Sequence, residues 1–364
     1  MGERALHIGV DGRELLGRPT GVGRYLREVL DGWRADSAWP HRVTLVVPQA
    51  PSAALVARHA HVGWSVEHGA GAGTWWEQTR LPRAIARVGA DVLLAPAYTG
   101  PLRLSCPMVL TIHDLSYFAH PEWFGWREGA RRRWLTRLAA RRAVAILTVS
   151  EFAAADIVTR LGVSRARVHV VRHGAPIATS PSTAREPIVL YVGSLFERRH
   201  VPELIDGFAE VVAALPRARL VMVGEDRSRR GINPTALAAR RGIASHVEWH
   251  HYLSEDELVR RYATARVFAF LSEYEGFGMT PLEAMAFGVP PIVLDTPVAR
   301  EIYADAAWYV APTAAEVGQA LSCLLTDEAL HADFVGRGLA RVRAFSWTTA
   351  ARAVRERLEQ AARR

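Results

Sequence analysis

Two successive sets of short β-branched and aliphatic runs, each run followed by a longer stretch of helical character, limit this chain to few architectures. The first set is LHIGVD from Leu6, RVTLVVP from Arg42, DVLLAP from Asp91, PMVLTIHD from Pro107, AILTVS from Ala145 and VHVVRHG from Val168. The second is IVLYVGS from Ile188, RLVMVGE from Arg219, VEWHHYL from Val247, VFAFLS from Val267 and PPIVLD from Pro290. Strand-length runs separated by helix-length segments are the pattern of βα units, and such units build parallel sheets. Between the sets, APIATSPSTAREP from Ala175 to Pro187 is rich in Pro, Ser, Thr and Ala and has little to bury, so it reads as a linker. At 364 residues the chain also exceeds what one core usually organises. The expected class is α/β with two Rossmann-like domains: residues 1–178, a linker over 179–187, and residues 188–345. A helix over 346–364, capped by Ser346, either finishes the second domain or crosses back to brace the first. Ligands of such sheets bind beyond the carboxyl ends of the strands, which makes the cleft between the two domains the expected site.

Composition narrows the setting. The two cysteines, Cys106 and Cys323, have no metal-ligand spacing and form no disulfide framework. No apolar run approaches the roughly 18 residues of a membrane span, and MGERALHIGV lacks the regions of a signal peptide, so a cytoplasmic location is expected. The net charge of +8 points to an anionic partner, and no nucleic-acid partner is expected. All 45 basic residues are arginine, so a position that ordinarily takes lysine carries a planar guanidinium here.

The segment EYEGFGMTPLEAMAFGVPP, Glu273 to Pro291, carries the most chemistry. Pro281 suits the first position of a helix, Thr280 its cap and Gly288 the residue just past its end. Glycines 276 and 278 would let backbone approach a ligand, with the N–H groups of Gly278, Met279 and Thr280 directed at an anionic phosphate by the helix dipole. Thr280-Pro-Leu-Glu283 is also a capping-box pattern, which would occupy Glu283 structurally. Glu275 precedes the helix and has no such duty.

Glu275 and Glu283, with seven residues between them that include Gly-Phe-Gly, resemble the signature of glycosyltransferase family 4, nucleotide-sugar enzymes of the GT-B fold, with two Rossmann-like domains facing across a cleft. The resemblance implies that Glu275 contacts the donor sugar's hydroxyls and Glu283 the ribose, while Gly276, Phe277, Gly278, Met279 and Thr280 face the diphosphate and sugar. YVGSLFERRH from Tyr191 is similar to the family's loop that holds the diphosphate, which places Ser194, Arg198 and Arg199 there. Arg199 stands where the family has lysine, and His200 where it has asparagine. TIHDLSYFAHPEWF from Thr111 resembles the family's His-Asp segment, implying His113 near donor sugar and acceptor; Asp114 either orients that imidazole or caps the following turn. DGRELLGRPTGVGRYLREVL from Asp11 resembles the first strand-loop-helix, with Gly21 and Gly23 bringing backbone to the ligands and Arg24 and Tyr25 opening the helix. VEWHHYLSEDELVRRYATARVF from Val247 matches the segment that holds the base, with His251, Tyr252 and Leu253 as candidates.

The resemblance implies transfer of a hexose with retention by a front-face route, in which the leaving diphosphate takes the acceptor's proton. His113, Arg199 and Glu275 are the expected catalytic residues. No Asp-x-Asp triplet occurs, so Arg198, Arg199 and the helix start are expected to supply the positive field without metal or other cofactor. The segments look most like bacterial mannosyltransferases using GDP-mannose, with UDP-sugar transfer (glucosyl or N-acetylglucosaminyl) as the alternative donor reading. A nucleotide-sugar epimerase of the same fold and a non-catalytic sensor are the competing classes. The acceptor would be a glycan, lipid-linked or small molecule. WREGARRRWLTRLAARR from Trp126 mixes tryptophans and arginines, which suits either an anionic membrane surface or a solvated helix.

Overall fold

In the computed structural model, which describes residues 4–17, 20–68, 71–176, 185–229 and 231–363, every sheet pairing is parallel. The chain divides into two units, residues 1–174 with 346–364, and residues 175–345. The expected linker falls largely outside the described residues, since 179–184 are not described.

The first unit holds seven strands: β1 (His7–Asp11), β2 (Arg42–Val47), β3 (Gly63–Val66), β4 (Val92–Ala95), β5 (Met108–Thr111), β6 (Ala145–Thr148) and β7 (Val168–Val170). Their order is β3-β2-β1-β4-β5-β6-β7. The second unit holds β8 (Ile188–Val192), β9 (Arg219–Val223), β10 (Val247–His250), β11 (Val267–Phe270), β12 (Pro291–Leu294) and β13 (Trp308–Val310), in the order β10-β9-β8-β11-β12-β13. Both sheets are doubly wound, and in each the strand order reverses beside the unit's first strand, between β1 and β4 and between β8 and β11. A crevice opens at such a reversal because the connections on its two sides leave in opposite directions.

The near-continuous burial of strands such as β4, β5 and β11 follows from helices on both faces. The two strands with no counterpart in the sequence reading, β3 and β13, are edge strands of four and three residues. Burial pressure is weakest there, so Gly63-Trp-Ser-Val66 carries no hydrophobic run of its own.

The last helix, Trp347–Ala362, packs in the first unit. Ser346 Oγ accepts the Thr349 N–H at 3.3 Å to cap it. Ala351, Val354 and Leu358 join a core with Ile8, Leu26 and Leu30, each worth about 1.5–3 kcal/mol for the larger side chains. The Trp33 indole donates to the Ala351 carbonyl at 2.9 Å. The helix backbone comes so near Gly32 that a Cβ there would lie 2.5 Å from Ala351 Cβ.

Candidate active site

The reversal in the second sheet lies between the loops that follow β8 and β11, and those loops carry the densest cluster of site residues. After β8 the chain turns through Gly193 and Ser194 into a 3-10 turn, Glu197–Arg199. After β11 it runs through Leu271 to Glu275. The loops are joined twice: the Glu273 N–H donates to the Arg198 carbonyl at 3.0 Å, and His200 Nε2 meets Glu273 Oε1 at 2.7 Å. His200 sits at φ 47°, a left-handed conformation in which Asn and His are both enriched, and this accounts for a histidine standing at the family's asparagine.

Arg199 is enclosed by the crevice. Its Nη2 donates to Glu275 Oε1 at 2.9 Å and its guanidinium lies 4.9 Å from the Phe270 ring centroid. A Cβ on Gly193, which lies at φ 151°, would come within 2.0 Å of Arg199 Nη1, so the glycine leaves the guanidinium its present position. Burial by itself lowers the pKa of Arg199, yet the neighbouring Glu275 and Tyr191 outweigh it and hold the guanidinium above the ordinary arginine value. Glu275 Oε1 also accepts the Ser272 hydroxyl at 2.8 Å. Both of these bonds end on one oxygen, so Oε2 keeps its acceptor capacity for a ligand hydroxyl. Arg198 has a different environment, stacked over Phe196 at 4.2 Å.

The helix beyond this loop starts earlier than its sequence suggests. It spans Met279–Ala286, with Gly278 as cap residue at φ 81°. Thr280 is therefore inside the first turn and not the cap, Pro281 is the third helical residue and not the first, and no capping box forms. Glu283 instead lies buried and accepts the Tyr262 hydroxyl at 3.0 Å. The C-terminal reading agrees with the structure: Gly288 follows the helix at φ 68° and its N–H meets the Met285 carbonyl at 2.9 Å. Gly278 is held from below by Tyr303, whose hydroxyl donates to its carbonyl at 2.9 Å. Phe277 turns inward, edge-on to Phe345 at 5.6 Å, so any ligand contact there would come from its backbone. Tyr252 is 62% exposed and follows β10, two strands from β8 in the sheet, in an irregular segment with Leu253.

The first unit's candidates have other surroundings. Gly21 and Gly23 do not form a loop; the helix Gly21–Ala35 begins at Gly21, capped by Thr20, whose Oγ1 accepts the Gly23 N–H at 3.0 Å. A Cβ on Gly23 would lie 2.3 Å from the Glu14 carbonyl, which explains that glycine without a ligand. Arg24 is accordingly in the first turn, its N–H bonded to the Thr20 carbonyl at 2.8 Å. Tyr25 is a core residue, 1% exposed. Its ring meets His113 edge-on at 5.0 Å, and His113 stacks on His173 at 5.5 Å. His113 Nε2 lies 2.9 Å from the Pro96 carbonyl, and burial lowers the imidazole's pKa. Asp114 holds the following turn, accepting the Ser116 N–H at 2.8 Å and the Tyr98 hydroxyl at 3.0 Å.

Sequence reasoning missed Tyr191, Ser272, Tyr262 and Tyr303. Tyr262 and Tyr303 bond residues distant in sequence, Tyr191 bonds the nearby Ser194 backbone and Ser272 the nearby Glu275 carboxylate, and none lies in a pattern that marks such a role.

Two family models match most of the chain between them. The family described as "Glycosyl transferases group 1" matches residues 177–340, and "Glycosyltransferase Family 4" matches residues 19–179. O-antigen chain mannosyltransferase B of Escherichia coli is 27% identical over 270 residues, 66% of this chain and 66% of that protein. The GDP-mannose:cellobiosyl-diphosphopolyprenol alpha-mannosyltransferase of Xanthomonas oryzae pv. oryzae is 29% identical over 209 residues, 55% of this chain and 52% of that one. The chain thus spans between about half and two thirds of these two relatives. Among solved structures, HepE of Anabaena in complex with UDP and glucose superposes with a TM-score of 0.77 at 19% identity, over 98% of this chain and 100% of that one. The fold is GT-B.

Proposed function

The chain belongs to glycosyltransferase family 4, and from that premise we propose that it transfers mannose from GDP-mannose to a hydroxyl of a glycan, lipid-linked or small-molecule acceptor, retaining the anomeric configuration and needing no metal ion. The observation that carries this reading is the Arg199–Glu275 pair across the strand-order reversal, beside the helix start at Gly278.

Transfer breaks the bond between the anomeric carbon and the diphosphate oxygen, so negative charge collects on the leaving group while the sugar ring becomes cationic. Arg198, Arg199 and the amides at the start of Met279–Ala286 would neutralise the diphosphate, the work a divalent cation does elsewhere. Glu275 Oε2 would accept a sugar hydroxyl and fix the ring relative to those donors. The acceptor oxygen then attacks the anomeric carbon from the face the diphosphate leaves, and its proton passes to the departing phosphate oxygen, which gives glycoside and nucleoside diphosphate. Glu283 would hold the ribose only by sharing its carboxylate with Tyr262. Mannose and guanosine are favoured by the mannosyltransferase relatives; the UDP-bound neighbour supports a UDP-sugar as the second donor.

The test is a panel of GDP-mannose, UDP-glucose and UDP-N-acetylglucosamine with the purified protein in EDTA, read by thermal shift and by nucleotide release. Binding and slow release from GDP-mannose alone are expected. Release only from a UDP-sugar moves the assignment to the second donor, a requirement for added Mg²⁺ overturns the metal-free mechanism, and affinity for none of the three overturns the function.

A membrane-bound acceptor is favoured by one surface of the first unit. No helix among the described residues is long and apolar enough to cross a membrane. Helix Trp126–Arg142 nevertheless carries seven arginines and one glutamate and exposes Trp126 at 76% and Trp134 at 60%. Arg131 reaches Thr74, which brings exposed Trp75 to the same surface. Such a surface suits an anionic lipid face on the cytoplasmic side. Flotation with anionic but not neutral vesicles, lost in Trp126→Ser/Trp134→Ser, is expected; no flotation at low salt refutes it.

A further inference from the structure

Tyr303 ends the helix Pro297–Tyr303, is 2% exposed, and lies outside every motif that marks the candidate site. Its hydroxyl is nonetheless directed at the site's backbone, donating to the Gly278 carbonyl at 2.9 Å. Burial first, and then the charges of Glu275 and Tyr309, push its phenol pKa well up, so it remains a hydrogen-bond donor at any physiological pH.

The consequence follows from peptide geometry. The Gly278 carbonyl and the Met279 N–H belong to one planar trans peptide, so they point in opposite directions. A hydroxyl that draws the carbonyl into the core turns the Met279 N–H away from the core, and this amide is the first of the helix Met279–Ala286. Gly278 has a left-handed conformation, φ 81° and ψ 75°, and as a glycine it leaves its flanking peptides freer to rotate than any other residue would. An outside constraint is therefore needed to hold one orientation. Side-chain bulk cannot supply it, because a Cβ on Gly278 would lie 2.1 Å from the Tyr303 oxygen. Tyr303 is itself fixed by its neighbour: Ala304 takes φ 51°, unusual for alanine, and its carbonyl accepts the Tyr309 hydroxyl at 2.6 Å.

We propose that Tyr303 is a positioning residue that locks the Gly278–Met279 peptide with the Met279 amide aimed at the donor's anionic diphosphate. This rests on the reading of the Arg199–Glu275 loops as a nucleotide-sugar site. Tyr303 touches no ligand; it acts through one peptide plane, and the amide it orients costs no reorganisation when charge develops on the phosphate.

The experiment uses the full chain labelled with ¹⁵N-methionine. Five methionines give few amide signals, and Met279→Leu assigns the relevant one. On titration with GDP, and separately UDP, the Met279 amide of the unaltered protein should shift and exchange more slowly with solvent. Tyr303→Phe keeps the ring and its packing, so it should fold, bind the nucleoside diphosphate about tenfold or more weakly, and lose the ligand-induced shift of Met279. A nucleotide that binds while the Met279 amide stays unmoved in the unaltered protein overturns the proposal even if the variant fails to fold. So does a folded Tyr303→Phe with affinity within twofold. An unaltered protein that binds neither nucleotide removes the donor-site reading itself, a result distinct from these two.

Discussion

Each unit places an arginine in a 3-10 turn just after its first strand, at the edge of its strand-order reversal, and the two arginines do different work. In the first unit Arg13 follows β1 and bonds Asp11 through Nη2 at 2.6 Å and Glu77 through Nη2 at 2.5 Å. Glu77 also accepts the Thr99 hydroxyl at 2.8 Å and the Gln78 amide at 2.9 Å. The side chains of Asp11 and Glu77 are 4% and 3% exposed, so this group is closed on itself. In the second unit Arg199 follows β8 and meets one acid, Glu275, whose side chain is 21% exposed and keeps an oxygen unspent. One topology thus yields an internal ionic anchor in one sheet and a ligand-ready pair in the other. The difference lies in how many partners share the charge and whether any acceptor capacity is left over.

Removing the same group from both places should break the likeness most sharply. Arg199→Gln is expected to lower kcat/KM by about two orders of magnitude or more, as loss of a preorganised donor to a leaving group does, with a small change in melting temperature. Arg13→Gln leaves two buried carboxylates without their cation and should cost about 3–5 kcal/mol of stability while the folded fraction keeps its nucleotide affinity. Denaturant titration and nucleotide binding on both variants measure this. If both variants lose binding and keep stability, the first unit's cluster is part of the ligand site and the distinction fails.

The contrast was only partly readable from sequence. Strand runs such as IVLYV and VFAF announce themselves because burial on both faces demands continuous apolar residues, and the Gly288 stop follows from backbone sterics alone. Thr280-Pro-Leu-Glu283 misled because a capping box depends on where the helix begins. Gly278 begins it two residues early, which carries Glu283 past the box position, whereas the same pattern at Ser254-Glu-Asp-Glu257 does form one. Arg199 and Glu275 were legible from their motifs. Ser272 and Tyr303, which hold Glu275 and Gly278 in place, were not, because a supporting hydrogen bond needs only a hydroxyl within reach and leaves no spacing rule behind. His113 was found, but its burial among Tyr25, Tyr98 and His173 depends on packing between strands far apart in the chain.

Acid should separate the units next. Burial lowers the pKa of five first-unit histidines, His7, His59, His61, His113 and His173, with His59 near 4, but of only His331 in the second. Each of these imidazoles holds a proton less readily folded than unfolded, so unfolding takes up protons at pH values below about 6.5. Their contribution is complete above pH 6.5 and declines as pH falls toward each folded value, by up to about 1.4 kcal/mol per pH unit for each group within its window. Hydrogen exchange at pH 7.5 and pH 5, corrected for intrinsic rates, should show first-unit peptides losing protection ahead of second-unit peptides. Equal loss would mean that the second unit's acid groups respond as strongly as these histidines.

The smallest expected effect probes how Glu275 is held. Its Oε1 accepts from both Ser272 and Arg199, and the two supports are unequal, since Arg199 brings charge as well as a hydrogen bond. Ser272→Ala removes the neutral support, leaves the ion pair and creates little space. A neutral hydrogen bond is worth about 0.5–1.5 kcal/mol, so kcat/KM should fall between about twofold and tenfold, with the pH dependence unchanged. The Arg199→Gln loss should be far larger, and the double variant should lose less than the product of the two, because a carboxylate freed by one change has less order left to lose to the other. If Ser272→Ala alone matches Arg199→Gln, the orientation of Glu275 and not the charge beside it limits the site, and the second unit then resembles the first in depending on a closed hydrogen-bond set.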